Sequence, residues 1–576
     1  MNAIDLEVIY QSTTQIAREL TLNMLRTGYS TIIKESQDFT FAIYDGHGRM
    51  VAQGVPQPLH LGPLHAQINA IRHEFRGRIE EGDTFIVNHP YRACQNHATD
   101  VTLVSPVFSN GEIVAFIGNI AHKPDLGGKV PGTNAGDATD LFQEGLLIPP
   151  LKIVRKGVLN EDLKEMISAN TRTPEVTWGD ISAQIHTNNH GQSKFAELFS
   201  RHGTDKVLDC WETWMDICER ELRAEIAKVP DGIYGPESDY LDDDGIDLTR
   251  PLRVTATLEK RGETLHFKLD SDAQARGPVN LRSCVSRNFI ECLVKMIFIP
   301  GLPVNDGLSR PVKVSYPPEG TLLNPRYPAA CNMYVRPSQM TSNVVVRCLA
   351  RALPGRVPAP ASGSGGALSS AGRHPETGRW YSMYEIYNGG GGARPDADGV
   401  SAQDDLVVNV MNTPVEAVET EFPLRIERYE LVPDSGGAGK FRGGLGTLRQ
   451  WRVLADEATI NLRSDRFKFA STGLFGARMA MKSVATLDAA GKETRPVTSK
   501  IAGLRLSQGD TFTWSTGGGG GYGSPLERDP ERVRRDVALG YVTHEGARRD
   551  YGVALADDMA IDAAGTVRLR SAASED

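Results

Sequence analysis

The stretch "NHATDVTLVSPVFSNGEIVAFIGNIAHKPD", residues 96–125, contains two apolar, strand-like runs separated by Asn110-Gly111. An Asn-Gly pair is the strongest short signal for a turn between antiparallel strands. The sequence therefore predicts a β-hairpin. A histidine and an aspartate come just before the first run, and another histidine and aspartate come just after the second.

The expected strand pairing brings two of these polar residues together. With the Asn-Gly pair as the turn, Asp100 faces Ala121 across the hairpin. His122 then faces Thr99, which makes it a diagonal neighbour of His97 on the same face, roughly 7–8 Å away at Cα. In a regular strand Asp100 points to the opposite face. It can join the two histidines only if a bulge or irregular backbone lies between His97 and Asp100.

Two imidazoles and a carboxylate form a ligand set that suits zinc, manganese or iron, with positions left open for water or substrate. The sequence therefore predicts a metal site formed by His97, Asp100 and His122. The alternative is that these residues are solvated ends of the hairpin. His60 and His65, five residues apart in "PLHLGPLH", do not align on a helix, and capping or packing is the favoured role for both.

Composition narrows the class of protein. The chain has 576 residues, a formal charge of −9 and 40% hydrophobic residues, which is typical of a globular protein and favours neither nucleic acid nor an anionic membrane as a partner. It lacks an apolar run of about 18 residues, so no membrane span is predicted. The acidic, amphipathic amino terminus does not resemble a signal peptide. Seven cysteines without a C-x-x-C motif indicate no disulfide framework and favour a reducing, cytoplasmic location.

The pattern of apolar residues predicts an α+β fold, a large mixed α/β chain in four segments. Residues 1–200 form an amino-terminal region with the metal-bearing hairpin. Residues 201–358 begin with a long helix and continue as an α+β region. Residues 359–400 are a glycine-rich, irregular segment. Residues 401–576 form a β-rich, glycine-rich carboxyl-terminal region.

Motifs for nucleotide binding and for serine nucleophiles are missing from the sequence. No G-x-S-x-G elbow occurs, and "GGAGKF" lacks both the upstream glycine and the Ser/Thr of a phosphate-binding loop. The run Gly517–Gly521 offers backbone N–H groups to an anion, or else allows close contact between parts of the molecule. ATP is therefore not expected to bind through a recognisable motif in this chain.

Several phrases along the chain resemble the B-type (β) subunit of the hydantoinase/oxoprolinase family, which is related to the α subunit of acetone carboxylase. They are "SQDFTFAIYDGHGRMVAQ", "HATDVTLVSPVF", "HKPDLGG", "FQEGLLIPPLKI", "NPRYPAA", "NTPVEAVETEFPLRIERYELVPDSGGAGKFRGGLG" and "GGGGYGSPLERDPERVRRDVALGYV". The order and spread of these phrases cover essentially the whole chain.

The resemblance implies one subunit of an ATP-dependent hydrolase of cyclic amides such as lactams, hydantoins or oxoproline. An A-type (α) partner subunit with an actin-like ATPase domain would phosphorylate the substrate oxygen, and the two kinds of subunit would form a heterotetramer. The family's divalent metal, Mn or Zn, would be held by residues matching His97, Asp100 and His122. Asp38, in the phrase "SQDF", is a further candidate ligand or a base, and Asp125 is the other candidate general base.

Two other functions compete with cyclic-amide hydrolysis. A subunit of an ATP-dependent ketone carboxylase would share the metal site but would have to retain CO₂ and exclude water. Such enzymes usually have a third subunit and often a longer chain, so this function ranks second. A non-catalytic scaffold, in which the hairpin residues are only polar ends, ranks third.

Overall fold

The computed structural model describes residues 1–54, 57–403, 405–489 and 492–573. Among these residues, the helices are α1 (Ala3–Thr27), α2 (Thr31–Lys34), α3 (Pro58–Glu74), α4 (Pro90–Ala93), α5 (Glu161–Ala169), α6 (Pro174–His202), α7 (Thr204–Ala227), α8 (Ser283–Phe298), α9 (Val335–Ala352), α10 (Val415–Glu421), α11 (Pro530–Ala538), α12 (His544–Tyr551) and α13 (Ala563–Ala572). None of these helices combines the length and the apolar character needed to cross a bilayer.

The strands form four sheets. The first sheet has the order β2 (Met50–Gln53), β1 (Phe39–Asp45), β5 (Glu112–His122), β4 (Asp100–Ser109), β3 (Thr84–Val87), β6 (Leu151–Arg155), β7 (Val158–Leu159). The second has the order β11 (Val312–Ser315), β10 (Thr264–Ser271), β9 (Leu252–Arg261), β8 (Gly232–Leu241). The third has the order β13 (Trp380–Tyr387), β12 (Gly366–Arg373), β16 (Glu457–Arg463), β19 (Lys500–Ser507). The fourth has the order β14 (Leu424–Leu431), β15 (Thr447–Val453), β20 (Thr511–Ser515), β17 (Val484–Asp488), β18 (Arg495–Val497). The predicted mixed α/β architecture is confirmed.

The predicted hairpin is formed by β4 and β5 at the centre of the first sheet. Asn110 and Gly111 both have positive φ, 53° and 83°, as the expected two-residue turn requires. The predicted pairing is wrong by one residue beyond this turn. Val114 is an extra residue that forms a β-bulge, so Asp100 pairs with His122 and not with Ala121.

Helices cover both faces of the first sheet. On one face, α3 packs its apolar residues, such as Leu64 and Ile68, against Phe116 and Ile120 of β5 in a fully buried cluster. On the other face, α1, α6 and α7 bury a second cluster that includes Ile117 of β5. The alternation of buried faces along β5 explains why this strand is apolar on both sides. The sheet is thus a rigid, doubly covered platform.

The glycine-rich segment 359–400 is more regular than the sequence predicts, because it contains β12 and β13. A side chain at Gly366 would overlap the main-chain carbonyl of Arg463 in the neighbouring strand β16. The close approach of two backbones therefore requires glycine at this position.

The run Gly517–Gly521 also packs backbone against backbone. Gly519 donates to the carbonyl of Gly444 at 3.0 Å, and Gly444 donates to the carbonyl of Gly391 at 2.8 Å. Side chains on these residues would collide with the facing main chain. The run therefore joins parts of the molecule that are distant in sequence, which is the second of the two roles considered for it.

The expectation of cysteines without disulfides is wrong for one pair. Cys94, which follows α4, is bonded to Cys284 at the start of α8, with a Cα–Cα distance of 6.4 Å. The two residues are 190 positions apart, so sequence spacing gives no signal for the pairing. The remaining five cysteines are free and buried.

A buried ion pair stabilises the contact between the third and fourth sheets. Arg449 and Glu385 are both fully buried and paired, and the indole of Trp451 donates to the other Glu385 oxygen at 3.1 Å. The substitution Glu385→Ala leaves the guanidinium of Arg449 buried without its carboxylate. We expect a loss of about 3–5 kcal/mol in the free energy of unfolding, measured by urea denaturation followed by tryptophan fluorescence.

The matched control is Glu427→Ala, which removes the carboxylate from the more exposed pair between Glu427 and Arg452. Solvated pairs contribute less than about 1 kcal/mol. Equal shifts for the two variants would contradict a special role for the buried pair.

Candidate metal centre

The register of the first sheet places three polar residues in one row. Asp100 pairs with His122 across β4 and β5, and the N–H of His122 donates to the carbonyl of Asp38 just before β1, at 3.1 Å. All three residues lie at the same end of adjacent strands, on the face covered by α3. Their side chains are buried, with 0% to 6% of the residue surface exposed.

The row is completed by His97 from the turn before β4. The N–H of Asp100 donates to the carbonyl of His97 at 3.3 Å, which folds the imidazole back over the carboxylate. The predicted irregular backbone between these two residues is therefore confirmed. His97 Nε2 and His122 Nδ1 each lie 3.0 Å from Asp100 Oδ1.

A fourth imidazole approaches the cluster from α3. His60 Nε2 lies 3.6 Å from an oxygen of Asp38 and 3.6 Å from an oxygen of Asp100. The hydroxyl of Thr40 in β1 is 3.3 Å from His60 Nδ1 and fixes the ring from the other side. The sequence favoured capping or packing for His60 because His60 and His65, five residues apart, do not align on one face of a helix.

Burial and charge set the protonation states in the cluster. Burial raises the pKa of Asp100, but the three neighbouring imidazoles outweigh burial and hold that pKa well below its usual value. Burial lowers the pKa of His122 to about 3. Asp100 is thus a carboxylate and His122 a neutral imidazole, the forms that bind a divalent cation.

Burial acts differently on the two residues beside this pair. It raises the pKa of Asp38 to about 6, against the opposing attraction of His60. Burial alone lowers the pKa of His60, but Asp100 and Asp38 outweigh it and raise that pKa above the usual value. The negative charge of the cluster therefore lies on the Asp38 and Asp100 carboxylates, beside the imidazole of His60.

The orientation of His97 is fixed by a residue far away in the chain. His97 Nδ1 lies 3.0 Å from the main-chain oxygen of Asn332 and 2.9 Å from its side-chain oxygen, both acceptors. Nδ1 therefore donates to Asn332, which leaves Nε2 directed at Asp100. Arg463 donates to the same two oxygens of Asn332 at 2.7 and 2.8 Å, and Glu144 accepts the Asn332 N–H at 2.6 Å.

Asp125 does not join the cluster. Its carboxylate accepts the main-chain N–H groups of Gly127, Gly132 and Arg172, each at 2.9 Å, and the guanidinium of Arg172 at 3.0 Å. These bonds fix the loop that follows β5. A cavity lies beside the cluster, and Asp125 does not line it.

The donor atoms fit a single metal ion. Ligand atoms of His97, Asp100 and His122 all lie within 4.8 Å of one another. Within the described residues, His122 Nε2 is buried without a hydrogen-bond partner, so the lone pair of this ring nitrogen is unused. Two imidazoles and a carboxylate suit Zn²⁺ or Mn²⁺ equally.

The cluster opens onto a cavity between the first and third sheets. Its lining includes Asp38, His97 and His122, and on the other side Tyr384 of β13, Arg336 of α9 and Arg463 of β16. The Tyr384 ring lies 4.3 Å from the His122 ring, measured between centroids. The Tyr384 ring therefore shields the His122 imidazole from bulk water.

The chain as a whole matches a known family model. The model for hydantoinase B/oxoprolinase covers residues 2–525. The chain belongs to the hydantoinase B/oxoprolinase family. The resemblance noted in the sequence is therefore confirmed.

Relatives within this family are similar along their full length. The B-type subunit of a putative D-/L-hydantoinase from Pseudomonas sp. (strain NS671) is 32% identical over 99% of this chain and 98% of that protein. The beta subunit of the caprolactamase from Pseudomonas jessenii is 31% identical over 99% of this chain and all of that protein.

Solved structures share the fold. The crystal structure of the ATP-dependent caprolactamase from Pseudomonas jessenii superposes with a TM-score of 0.91 and 30% identity, over 99% of this chain and all of that chain. A nucleotide-free acetone carboxylase structure also gives a TM-score of 0.91, over 99% of this chain and 83% of that chain. At 19% identity, the second likeness concerns the fold alone.

Sequence reasoning missed several residues of the site in this family member. His60 gave a weak signal, as a histidine in an apolar helix that already held a second histidine. Asn332 follows the family phrase "NPRYPAA" by two positions, and that phrase was its only signal. Arg463 and Tyr384 gave none, because strand periodicity does not identify which sheets face each other.

The substitution His122→Ala removes one of the three proposed ligands and leaves two. We expect the metal content of the purified protein to fall from about one divalent ion per chain to a trace, because two ligands bind such ions weakly. The measurement is elemental analysis by mass spectrometry. The matched control is His186→Ala, an exposed histidine on α6. Equal metal content in both variants and the wild type would contradict the assignment.

Proposed function

We propose that this chain is the β-type subunit of an ATP-dependent cyclic-amide hydrolase, and that water attacks an activated substrate beside His97, Asp100 and His122. The observation that carries the proposal is the buried His-Asp-His cluster at the wall of a cavity. Membership of the hydantoinase B/oxoprolinase family supports the substrate class. The full-length relatives are named for hydantoin and caprolactam, both cyclic amides.

A partner subunit is part of the proposal. The two full-length relatives are each named as one subunit of an enzyme, the first as its B-type and the second as its beta subunit. The related caprolactamase is described as ATP-dependent, whereas this sequence lacks a recognisable phosphate-binding loop. We therefore assign ATP cleavage to an A-type ATPase subunit, in a heterotetramer with this chain.

The need for ATP follows from the chemistry of the substrate. An unstrained amide is a poor electrophile, and its nitrogen is a poor leaving group. Phosphorylation of the amide oxygen gives an imidate-like carbon that water attacks. The adduct then breaks its C–N bond, with a proton passing to the nitrogen, and leaves a ring-opened acyl phosphate. A second water releases the acid and phosphate. The energy of ATP thereby lowers the barrier for attack by water.

His97, Asp100 and His122 would hold a divalent ion, which when bound would supply Lewis-acid chemistry that makes water more acidic. The chain supplies the remaining functions. Asn332 keeps Nε2 of His97 directed at the cluster, as partners of metal-binding histidines do. The rings of Tyr334 and Tyr384 pack against His97 and His122 and restrict the access of water.

Asp38 is the better placed of the two candidate bases. It lines the cavity, and its carboxylate accepts no hydrogen bond from any described residue, although His60 and His122 lie within 4 Å. The carboxylate of Asp125 is occupied by main-chain and guanidinium donors outside the cavity. We assign proton transfer from the attacking water to Asp38 and a structural role to Asp125.

The substitution Asp38→Asn tests this assignment. The amide cannot accept the proton, so kcat of the assembled enzyme should fall by about 10²–10⁴-fold. Metal content should stay within roughly twofold of wild type, because the three ligands remain. Asp125→Asn is the matched control and should lower the melting temperature while retaining most of kcat. The reverse pattern, with kcat lost only in the second variant, would refute the assignment.

A substrate screen with the partner subunit tests the function as a whole. In the presence of ATP, the complex should convert a lactam, a hydantoin or oxoproline into the ring-opened acid with release of phosphate, measured by mass spectrometry. Ketone carboxylation is the competing activity, since acetone carboxylase shares the fold. Incorporation of labelled bicarbonate into a ketone, without ring opening of any amide, would overturn the proposed hydrolysis.

A further inference from the structure

The cavity beside the candidate metal centre carries opposite charge on its two sides. Asp38 and the imidazoles line one side, and Arg463 and Arg336 line the other. The two arginines are only 5% and 3% exposed. Burying a guanidinium is unfavourable unless an anion offsets its charge, so the partners of Arg463 decide whether the cavity needs one.

Arg463 differs from other buried arginines of the chain in its partners. Arg449, Arg466 and Arg528 each pair with a carboxylate. Across the described ranges, Arg463 forms no ion pair. Its Nη1 donates only to the two oxygens of Asn332 and lies 3.5 Å from His97 Nδ1.

The remaining donors of Arg463 are available to a ligand. In the part of the chain that the structure describes, Nε and Nη2 of Arg463 make no hydrogen bond, and neither is among the fully buried unpartnered atoms. They therefore face the cavity. The guanidinium lies over the ring of Tyr384, 5.3 Å from its centroid, which fixes the plane of the group.

The beginning of α9 adds to the positive side. The residues Met333, Tyr334, Val335 and Arg336 line the cavity at the point where this 18-residue helix starts, and no side chain caps its first turn. The amino end of a helix carries partial positive charge. Arg336 also donates to the carbonyl of Gly365, which holds its guanidinium at the cavity wall.

We propose that Arg463, with Arg336 and the amino end of α9, binds an oxyanion group of the substrate. The planar fork of a guanidinium matches two oxygens of a phosphoryl or carboxylate group. Because Arg463 lies within 3.5 Å of His97, the bound anion positions the rest of the substrate against the candidate metal centre. The proposal rests on the proposed function for the source of the anion, either a transferred phosphoryl group or a carboxylate that the substrate carries.

Calorimetric titration of the isolated chain tests the anion site without ATP, partner or turnover. The probes are inorganic phosphate and, in a separate titration, acetate. Arg463→Gln should weaken binding of the preferred anion by roughly tenfold or more, since a charge-assisted hydrogen bond contributes about 1.5–3 kcal/mol. The matched control, Arg373→Gln on the exposed end of the neighbouring strand β12, should bind as wild type does.

The outcomes separate the possibilities. Preference for phosphate supports the phosphoryl source, and preference for acetate supports a substrate carboxylate. Absence of binding by wild type, or equal affinity of Arg463→Gln and wild type, overturns the proposal. A failure of cyclic-amide hydrolysis would refute the proposed function and leave these titrations unchanged.

A second variant covers the case in which Arg463→Gln does not fold, as judged by circular dichroism. Arg463→Lys keeps the positive charge but loses the planar fork. It should bind the preferred anion more weakly than wild type while retaining the melting temperature. Undiminished affinity of this variant would also overturn the proposal.

Discussion

The alignment of three adjacent strands is the constraint on which the site depends. Asp38, His122 and Asp100 occupy one row at the adjacent ends of β1, β5 and β4, with Asp38 just before β1. A slip of one residue in any strand would turn its side chain to the opposite face of the sheet. The bulge at Val114 sets the register of the hairpin, so a local irregularity far from the row decides which residues meet.

Residues from the second half of the chain complete the site around this row. Asn332 holds the ring of His97, and Arg463 holds Asn332 through both of its oxygens. These bonds connect the loop before α9 and the third sheet to the hairpin of the first sheet. Since the polar groups are buried, each unmade bond would be unfavourable by about 1–3 kcal/mol. The network therefore fixes one arrangement of the parts around the cavity.

Local sequence patterns predicted the hairpin, its Asn-Gly turn and the three proposed ligands. They failed where non-local packing decides the outcome. The register shift at Val114 has no sequence signature, because a buried valine suits a regular strand equally well. The pairing of Cys94 with Cys284 and the approach of Arg463 both join segments far apart in the chain. The sequence offered Asp38 and Asp125 alike as candidate bases, and only the hydrogen-bond donors around Asp125 distinguish the two.

The residues on the two sides of the site are far apart in the sequence, which has a consequence for biosynthesis. His97 and Arg463 are 366 positions apart, and closing such long loops delays these contacts relative to the hairpin. A nascent chain that has emerged only through β5 already carries the three ligand side chains, but the ring of His97 can still rotate. Selective binding of a cation at the proposed metal site would therefore follow the last folding steps, and metal content would report on the completed molecule.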